Sequence, residues 1–212
     1  MIKRGIVIGT SEFSKDFLIP LLDSMFQLIK SDKYTILIVS NGGYKPYIPE
    51  RFGLLHDIKL VVNEHNGWEL ACITRGKENF EEFVFIHDTT LIKDISMFDK
   101  LFATEGNVVL TKGNFHYMGK FVTKELPNLP IVHDKVTAIM METTWLDGFK
   151  YTEFIPDLPA HSLKWIIIHG MKRMVIENEY MQKFKGTVWI SKKQLAELEE
   201  QEIIKLNKST SK

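Results

Sequence analysis

One cysteine in 212 residues rules out any intramolecular disulfide and points to a reducing compartment. Charge of one sign is also missing: Lys+Arg and Asp+Glu both number 27, so no net charge favours nucleic acid or an anionic membrane. No uninterrupted apolar stretch of about 18 residues occurs, and Met1-Ile2-Lys3-Arg4 leads directly into a short strand pattern, not a signal-peptide core. A membrane is therefore touched from outside at most. Several chemical signatures are absent too. Gly5-Ile6-Val7-Ile8-Gly9 lacks the third glycine of a dinucleotide fingerprint, and no Gly-Lys-Ser/Thr phosphate loop follows any strand. There is no Gly-x-Ser-x-Gly elbow, and the seven histidines show no zinc-protease spacing. These absences argue against dinucleotide oxidoreductases, P-loop kinases, serine hydrolases and zinc proteases.

What is present is a succession of short apolar runs that end in small polar residues. Gly5 to Gly9 is a first strand, closed by Thr10-Ser11. From Ser14 to Ser31, Phe17, Leu18, Leu21, Leu22, Met25, Phe26, Leu28 and Ile29 recur at helical spacing. Ser14 is the expected N-cap, and Pro20 either kinks this helix or sets its start. Tyr34 to Val39 is a second strand, ending in Ser40-Asn41-Gly42-Gly43; strand, helix and strand together predict a parallel βαβ unit. A third strand is expected over Ile58 to Val62, and a helix from Asn66 to about Gly76.

The most informative segment is Phe83-Val84-Phe85-Ile86-His87-Asp88-Thr89-Thr90. A strand covered on both faces is apolar throughout, so its first polar residues mark where it leaves the core, which is where open α/β sheets bind ligands. Asp88 is then either a site carboxylate or the cap of a helix expected from Ile92 to Phe102. Strands follow over Asn107 to Thr111 and Gly119 to Thr123, the latter a candidate for antiparallel pairing. Asp134 to Trp145 has helical spacing, Lys150 to Pro159 reads as a loop, and Ser162 to Phe184 fits no single element. Ser191 to Lys205 is expected to be a charged helix before a linker-like tail. The expected fold is α/β: one domain with a central, mostly parallel mixed sheet of about six strands flanked by helices.

The first two strands, the Asn66 to Gly76 segment and Phe83 to Ile92 resemble the nucleotide-binding half of GT-A fold glycosyltransferases. In that family a strand ending in Asp-x-Asp holds a divalent metal on the diphosphate of a nucleotide sugar. Here Phe85-Ile86-His87-Asp88-Thr89-Thr90-Leu91-Ile92 stands in its place, a DXD-like motif with one of the two acids. Over all 212 residues the chain is similar to the N-terminal glycosyltransferase domain encoded by chlorella viruses, a group associated with glycosylating the viral capsid protein.

The resemblance implies a UDP-sugar transferase using Mn2+ or Mg2+, encoded by a virus and soluble in the host cytoplasm. It also implies a glycan or glycoprotein acceptor, no nucleic-acid partner, and further domains after this one in a longer polypeptide. Residues 1–190 would form the domain, with a nucleotide-binding half (1–103) and an acceptor half (104–190), and 191–212 the charged helix and tail. Asp88 would hold the metal, a hard oxygen ligand whose shell the diphosphate and waters complete. Thr89 and Thr90 would orient it.

Thr10 and Ser11 are candidates for uracil or ribose contacts, or for a local hydroxyl turn. Asn41, beside Gly42, is a third nucleotide candidate. Arg75 is a fourth, reaching the diphosphate or standing as an exposed arginine near a helix end. His87 is a fifth, contacting ribose, ligating the metal or simply ending the strand. Catalytic candidates are Asp134, Glu142 and Asp147, the last two bracketing Thr143-Thr144-Trp145, where an indole beside carboxylates suits a sugar. The family's acid pair for inverting chemistry is not recognisable here, which points to retention. His169-Gly170-Met171-Lys172 is similar to a His and Lys near the diphosphate in some retaining members. Two other readings stay open: a nucleotide-sugar-binding domain without turnover, and a sugar nucleotidyltransferase, for which Gly9-Thr10-Ser11-Glu12 lacks the glycine- and lysine-rich loop.

Overall fold

The computed structural model describes residues 3–53, 58–88, 90–92, 94–109, 118–134, 137–138, 141, 150–153 and 203–205. Its centre is a mixed sheet. Strand β1 (Arg4–Ser11) pairs in parallel with β2 (Thr35–Asn41) on one side and β4 (Glu82–His87) on the other, and β2 pairs in parallel with β3 (Ile58–Val62). Beyond β4 the direction reverses. Strand β7 (Gly119–Val122) runs antiparallel to β4 and to β6 (Val108–Val109), and β8 (Thr152–Glu153) closes that edge parallel to β6. The order β3-β2-β1-β4-β7-β6-β8 makes seven strands, one more than expected. The extra one, β8, lies in a segment read as loop, since two residues give no alternation to detect.

Alternate residues of the parallel strands feed two cores. Ile6, Ile8, Ile36, Ile38, Val84 and Ile86 pack against α1 (Leu18–Ser24), α2 (Phe26–Ser31) and α5 (Ser96–Ala103). Val7, Leu37, Val39, Phe83 and Phe85 pack against α4 (Trp68–Asn79). With both faces covered, β1 is buried from Gly5 to Ser11, which is why the run is apolar without alternation.

Local departures from expectation have identifiable causes. The helix expected from Ser14 to Ser31 is a short 3-10 turn (Glu12–Ser14) followed by α1 and α2, which break at Met25. Pro20 sits in the first turn of α1, where its missing N–H has no partner to lose. Ser14 caps no long helix. The helix expected from Ile92 starts later: Thr90–Ile92 is strand β5, and Asp94 Oδ1 accepts the Ser96 N–H at 2.8 Å to cap α5. A small helix, α3 (Glu50–Gly53), lies in the turn-rich passage after β2. At the C-terminal end Ile203–Lys205 is strand β9, antiparallel to β5, where the end of a charged helix was expected. Of the Asp134 to Trp145 helix, 134, 137–138 and 141 are described, the last three of them helical. Residues 162–184 lie outside the described residues.

Candidate functional site

The chain passes from β1 through α1 and α2 to β2, and from β3 through α4 to β4 on the far side of β1. The first crossover carries the chain to one side of β1 and the second, from β3, brings it to the other, so the sheet's topological switch point lies between β1 and β4. Open α/β sheets place ligands there, outside the carboxyl ends of the strands. The residues at those two ends are Thr10 and Asp88. Thr10 Oγ1 donates to Asp88 Oδ2 at 2.5 Å, and the Asp88 amide donates to Gly9 O at 3.0 Å. Both side chains are buried. Among the described residues the next helix, α5, begins eight residues after Asp88, with Asp94 accepting the Ser96 N–H at its start.

His87 lies on the same strand end, and its Nε2 stands 2.5 Å from Oε1 of Glu69, in the first turn of α4. Glu69 is buried as completely as Asp88, each 2% exposed. Two buried carboxylates thus stand at the carboxyl edge of the sheet. Buried charges are retained when paired or when they meet a cation.

The other nucleotide candidates are held internally. Asn41 Nδ2 donates to Trp68 O at 3.2 Å and approaches Cys72 Sγ at 3.4 Å, while its Oδ1 accepts from Asn63 Nδ2 at 3.2 Å. Arg75 extends this chain, its Nε donating to Asn63 Oδ1 at 3.0 Å and its NH1 pairing with Glu78 at 2.8 Å. Arg75 lies within α4, not at its end. Ser11 closes a turn with Ser14, its amide 3.3 Å from Ser14 Oγ, which is the local-turn alternative for that residue. Gly42 and Gly43, both at φ 71, give their amides to His65 O and Asn63 O, tying β2 to the loop after β3. Thr90, expected to orient Asp88, points its hydroxyl at Met118 Sδ, 3.4 Å away.

Asp134 Oδ1 accepts the Thr137 N–H at 2.8 Å, the geometry of a helix cap. Glu142 and Asp147 lie outside the described residues, as do Thr89, Trp145, His169 and Lys172. Cys72 is buried against Gly9 and Phe85. Burial pushes its thiol up to about 12, and the Glu69 and Asp88 carboxylates push the same way against the Asn41 contact. It is a core residue and no nucleophile.

A metal at Asp88 would meet hard oxygen donors, the class Mg2+ and Mn2+ select. Among the described residues no group of three or more His, Cys, Asp and Glu side chains is placed to hold a metal ion. A cation at Asp88 would have to draw the rest of its shell from ligand oxygens and water. Glu69 is the residue that sequence reasoning missed. An acid in the first turn of a helix is ordinary, and only the tertiary placement shows it turned inward.

No protein-family model matches the chain, and no curated protein matches it. Among solved structures it is similar to the mannosyltransferase PcManGT from Pyrobaculum calidifontis in complex with GDP-Man and Mn2+, with 12% identity, TM-score 0.49, and coverage of 87% of this chain and 66% of that one. It is similar to S. aureus TarS 1-349 in complex with UDP, with 15% identity, TM-score 0.44, and coverage of 59% and 48%. LgtC, a galactosyltransferase in complex with donor and acceptor sugar analogs, gives 9% identity, TM-score 0.43, and coverage of 68% and 64%. The chain thus spans less than half the length of the TarS chains.

Proposed function

We propose that this chain is a metal-assisted glycosyltransferase that takes a hexose or deoxyhexose from a UDP-sugar, UDP-glucose being the first donor to try, and passes it to a glycan or glycoprotein. The observation that carries this reading is the Thr10–Asp88 pair, a buried carboxylate held at 2.5 Å by a hydroxyl at the switch point of the sheet. In a sugar transfer, negative charge grows on the leaving diphosphate. A divalent cation such as Mn2+ or Mg2+, when bound, supplies the Lewis acid that stabilises it.

Asp88 is the residue to hold that cation, and Thr10 keeps one carboxylate oxygen oriented. His87 borders the same strand end and is the nearest candidate for the ribose or diphosphate. Asn41 and Arg75, two other nucleotide candidates, are joined through Asn63 beside the carboxyl ends of β2 and β3. The acid or base beside the acceptor falls to Asp134, Glu142 or Asp147, and retention is the stereochemistry proposed because no inverting acid pair is recognisable. A viral capsid glycan as acceptor rests on the sequence resemblance.

A second reading, a nucleotide-sugar-binding domain without turnover, is favoured by the single acid of the DXD-like motif. Calorimetric titration of UDP with and without Mn2+, together with a donor-hydrolysis assay, separates the two. The transferase reading expects Mn2+ to tighten UDP at least tenfold, Asp88→Ala to abolish that gain, and slow metal-dependent hydrolysis of the donor. Metal-independent UDP binding unchanged in Asp88→Ala would sink the role of Asp88; tight binding with no hydrolysis would leave the binding domain.

A further inference from the structure

Asn41, Asn63 and Asn66 stand at or just beyond the carboxyl ends of β2 and β3. The first two use their side-chain oxygens within the protein: Asn41 Oδ1 accepts from Asn63 Nδ2 at 3.2 Å, and Asn63 Oδ1 accepts from Arg75 Nε at 3.0 Å. Asn66 differs. Its Oδ1 is buried and has no hydrogen-bond partner among the described residues. An acceptor withdrawn from water with nothing to bond costs free energy, so an orphan of this kind needs a cause.

A loose loop would let the oxygen swing back to water, but this loop is tied on both sides of Asn66. The Gly42 amide donates to His65 O at 3.2 Å, the Gly43 amide donates to Asn63 O at 2.9 Å, and the His65 ring meets His133 edge to face with centroids 4.6 Å apart. On the other side, Gly67 lies so close to Val132 that a Cβ there would stand 2.7 Å from Val132 O. Trp68 follows at φ 52, a left-handed conformation that a bulky residue keeps only when its surroundings impose it. Its carbonyl accepts from Asn41 Nδ2 and Cys72 Sγ, at 3.2 and 3.3 Å. Asn66 itself rests against the end of β2: a Cβ on Gly42 would stand 3.9 Å from Asn66 Cβ. The acceptor is therefore held in place before any ligand arrives.

Its position narrows the donor that would satisfy it. A phosphate oxygen is itself an acceptor, so a diphosphate does not match. In the order β3-β2-β1-β4, the end of β2 lies two strands from Asp88, about 10 Å at the usual strand spacing. A ribose bridges such a gap between a diphosphate at Asp88 and a base at Asn66. The uracil of a nucleotide carries one ring N–H, at N3, where cytosine has an acceptor nitrogen.

We propose that Asn66 reads the base: its Oδ1 accepts the ring N–H of a keto nucleobase, uracil N3–H in the donor proposed above, and so selects against cytosine. The proposal rests on the nucleotide-sugar reading of this edge of the sheet, and it adds the group that decides which base is taken. Guanine N1–H is a donor of the same kind, and the test separates the two.

Calorimetric titration of the wild type and Asn66→Ala with UDP, 3-methyl-UDP, CDP and GDP is the test. The wild type is expected to bind UDP about tenfold or more tightly than 3-methyl-UDP or CDP, since a site built to bond an N–H rejects the analogue lacking it. Asn66→Ala is expected to lose that preference, binding all three within about threefold of one another. Urea unfolding without ligand gives a second readout. With no bond to lose, Asn66→Ala is expected to keep or raise the wild-type midpoint.

Equal binding of UDP and 3-methyl-UDP by the wild type would overturn the proposal, leaving a ribose hydroxyl or water as the partner. A preference that survives in Asn66→Ala would overturn it too, as would a lowered midpoint, which would mean the oxygen bonds within the protein. GDP bound more tightly than UDP, with that preference lost in Asn66→Ala, would keep the acceptor role and overturn uracil as the base. These discriminations need no metal. A failure of Mn2+ to tighten UDP therefore sinks the donor-site reading alone, while a wild type that binds no nucleotide sinks both.

Discussion

Strand β4 has two unlike neighbours. On one side β1 pairs with it in parallel from Arg4↔Glu82 to Gly9↔His87; on the other β7 pairs antiparallel from Glu82↔Val122 to Phe85↔Gly119. The parallel side is held by continuous apolar runs covered on both faces. The antiparallel side adds buried polar residues to the apolar Val108, Val109, Phe121 and Val122. Asn107 accepts the Val122 N–H at 2.8 Å, donates to Glu125 at 2.7 Å and approaches Lys150 O at 3.4 Å, joining β7, the start of β6 and the approach to β8. Lys120 is buried and donates to Thr104 O at the end of α5. The contrast teaches that the Thr10–Asp88 pair stands on the half of the sheet built from continuous apolar runs, while the flank adds individual buried hydrogen bonds to its apolar packing.

Three substitutions and one labelling experiment test that contrast. Phe85→Ala, in the parallel core, is expected to cost about 3 to 5 kcal/mol in urea unfolding, as deleting a buried ring does. A loss under about 1 kcal/mol would deny the parallel half its weight. Asn107→Ala leaves the Val122 amide without its acceptor and is expected to cost about 1 to 3 kcal/mol. Hydrogen exchange should speed up at β6 and β7 before β1 and β4. Uniform acceleration across the sheet would erase the distinction between the halves.

Lys120 gives a smaller, pH-dependent effect. Burial lowers its pKa from the ordinary lysine value, with nearby Glu82 opposing. The folded protein therefore loses that proton at a lower pH than the unfolded chain. Between the two pKa values the unfolded state binds more protons, so the Lys120 contribution to stability rises with pH. Lys120→Met removes the rise: its stability relative to wild type should fall as pH climbs towards the ordinary lysine range, and a constant difference from pH 7 upward would contradict the burial. The smallest effect is chemical. With its thiol pushed up to about 12 by burial, Cys72 should resist a thiol reagent at pH 8 until the protein is unfolded, and prompt labelling of the native state would place it outside the core.

The same contrast governs what the sequence discloses. Gly5 to Gly9, Tyr34 to Val39 and Phe83 to Ile86 are apolar without break because both faces of the parallel strands are covered. Their polar ends therefore mark the carboxyl edge of the sheet, Asp88 included. The antiparallel flank has no such signature: β6 and β8 are two residues each, too short for a period, and Lys120 hides in the sheet as an apparently solvent-facing charge. The helix from Ile92 was misplaced because its apolar spacing begins before its cap, and Asp94 two residues ahead of Ser96 is the signal that corrects it. Pairing of β5 with β9 spans more than a hundred residues and leaves no local trace. Glu69 reads as a favourable helix-start acid, and Asn41 as a ligand contact. That one is buried on His87 and the other ties down Trp68 O are tertiary facts.

The most direct test of the central claim, that the Thr10–Asp88 pair marks the donor site, is a crystal soaked with UDP and Mn2+ and measured at the manganese absorption edge. The account predicts an anomalous peak about 2.0 to 2.4 Å from an Asp88 carboxylate oxygen, with the diphosphate lying between the ends of β1 and β4. Nucleotide density at another edge of the sheet, with no peak beside Asp88, would contradict it.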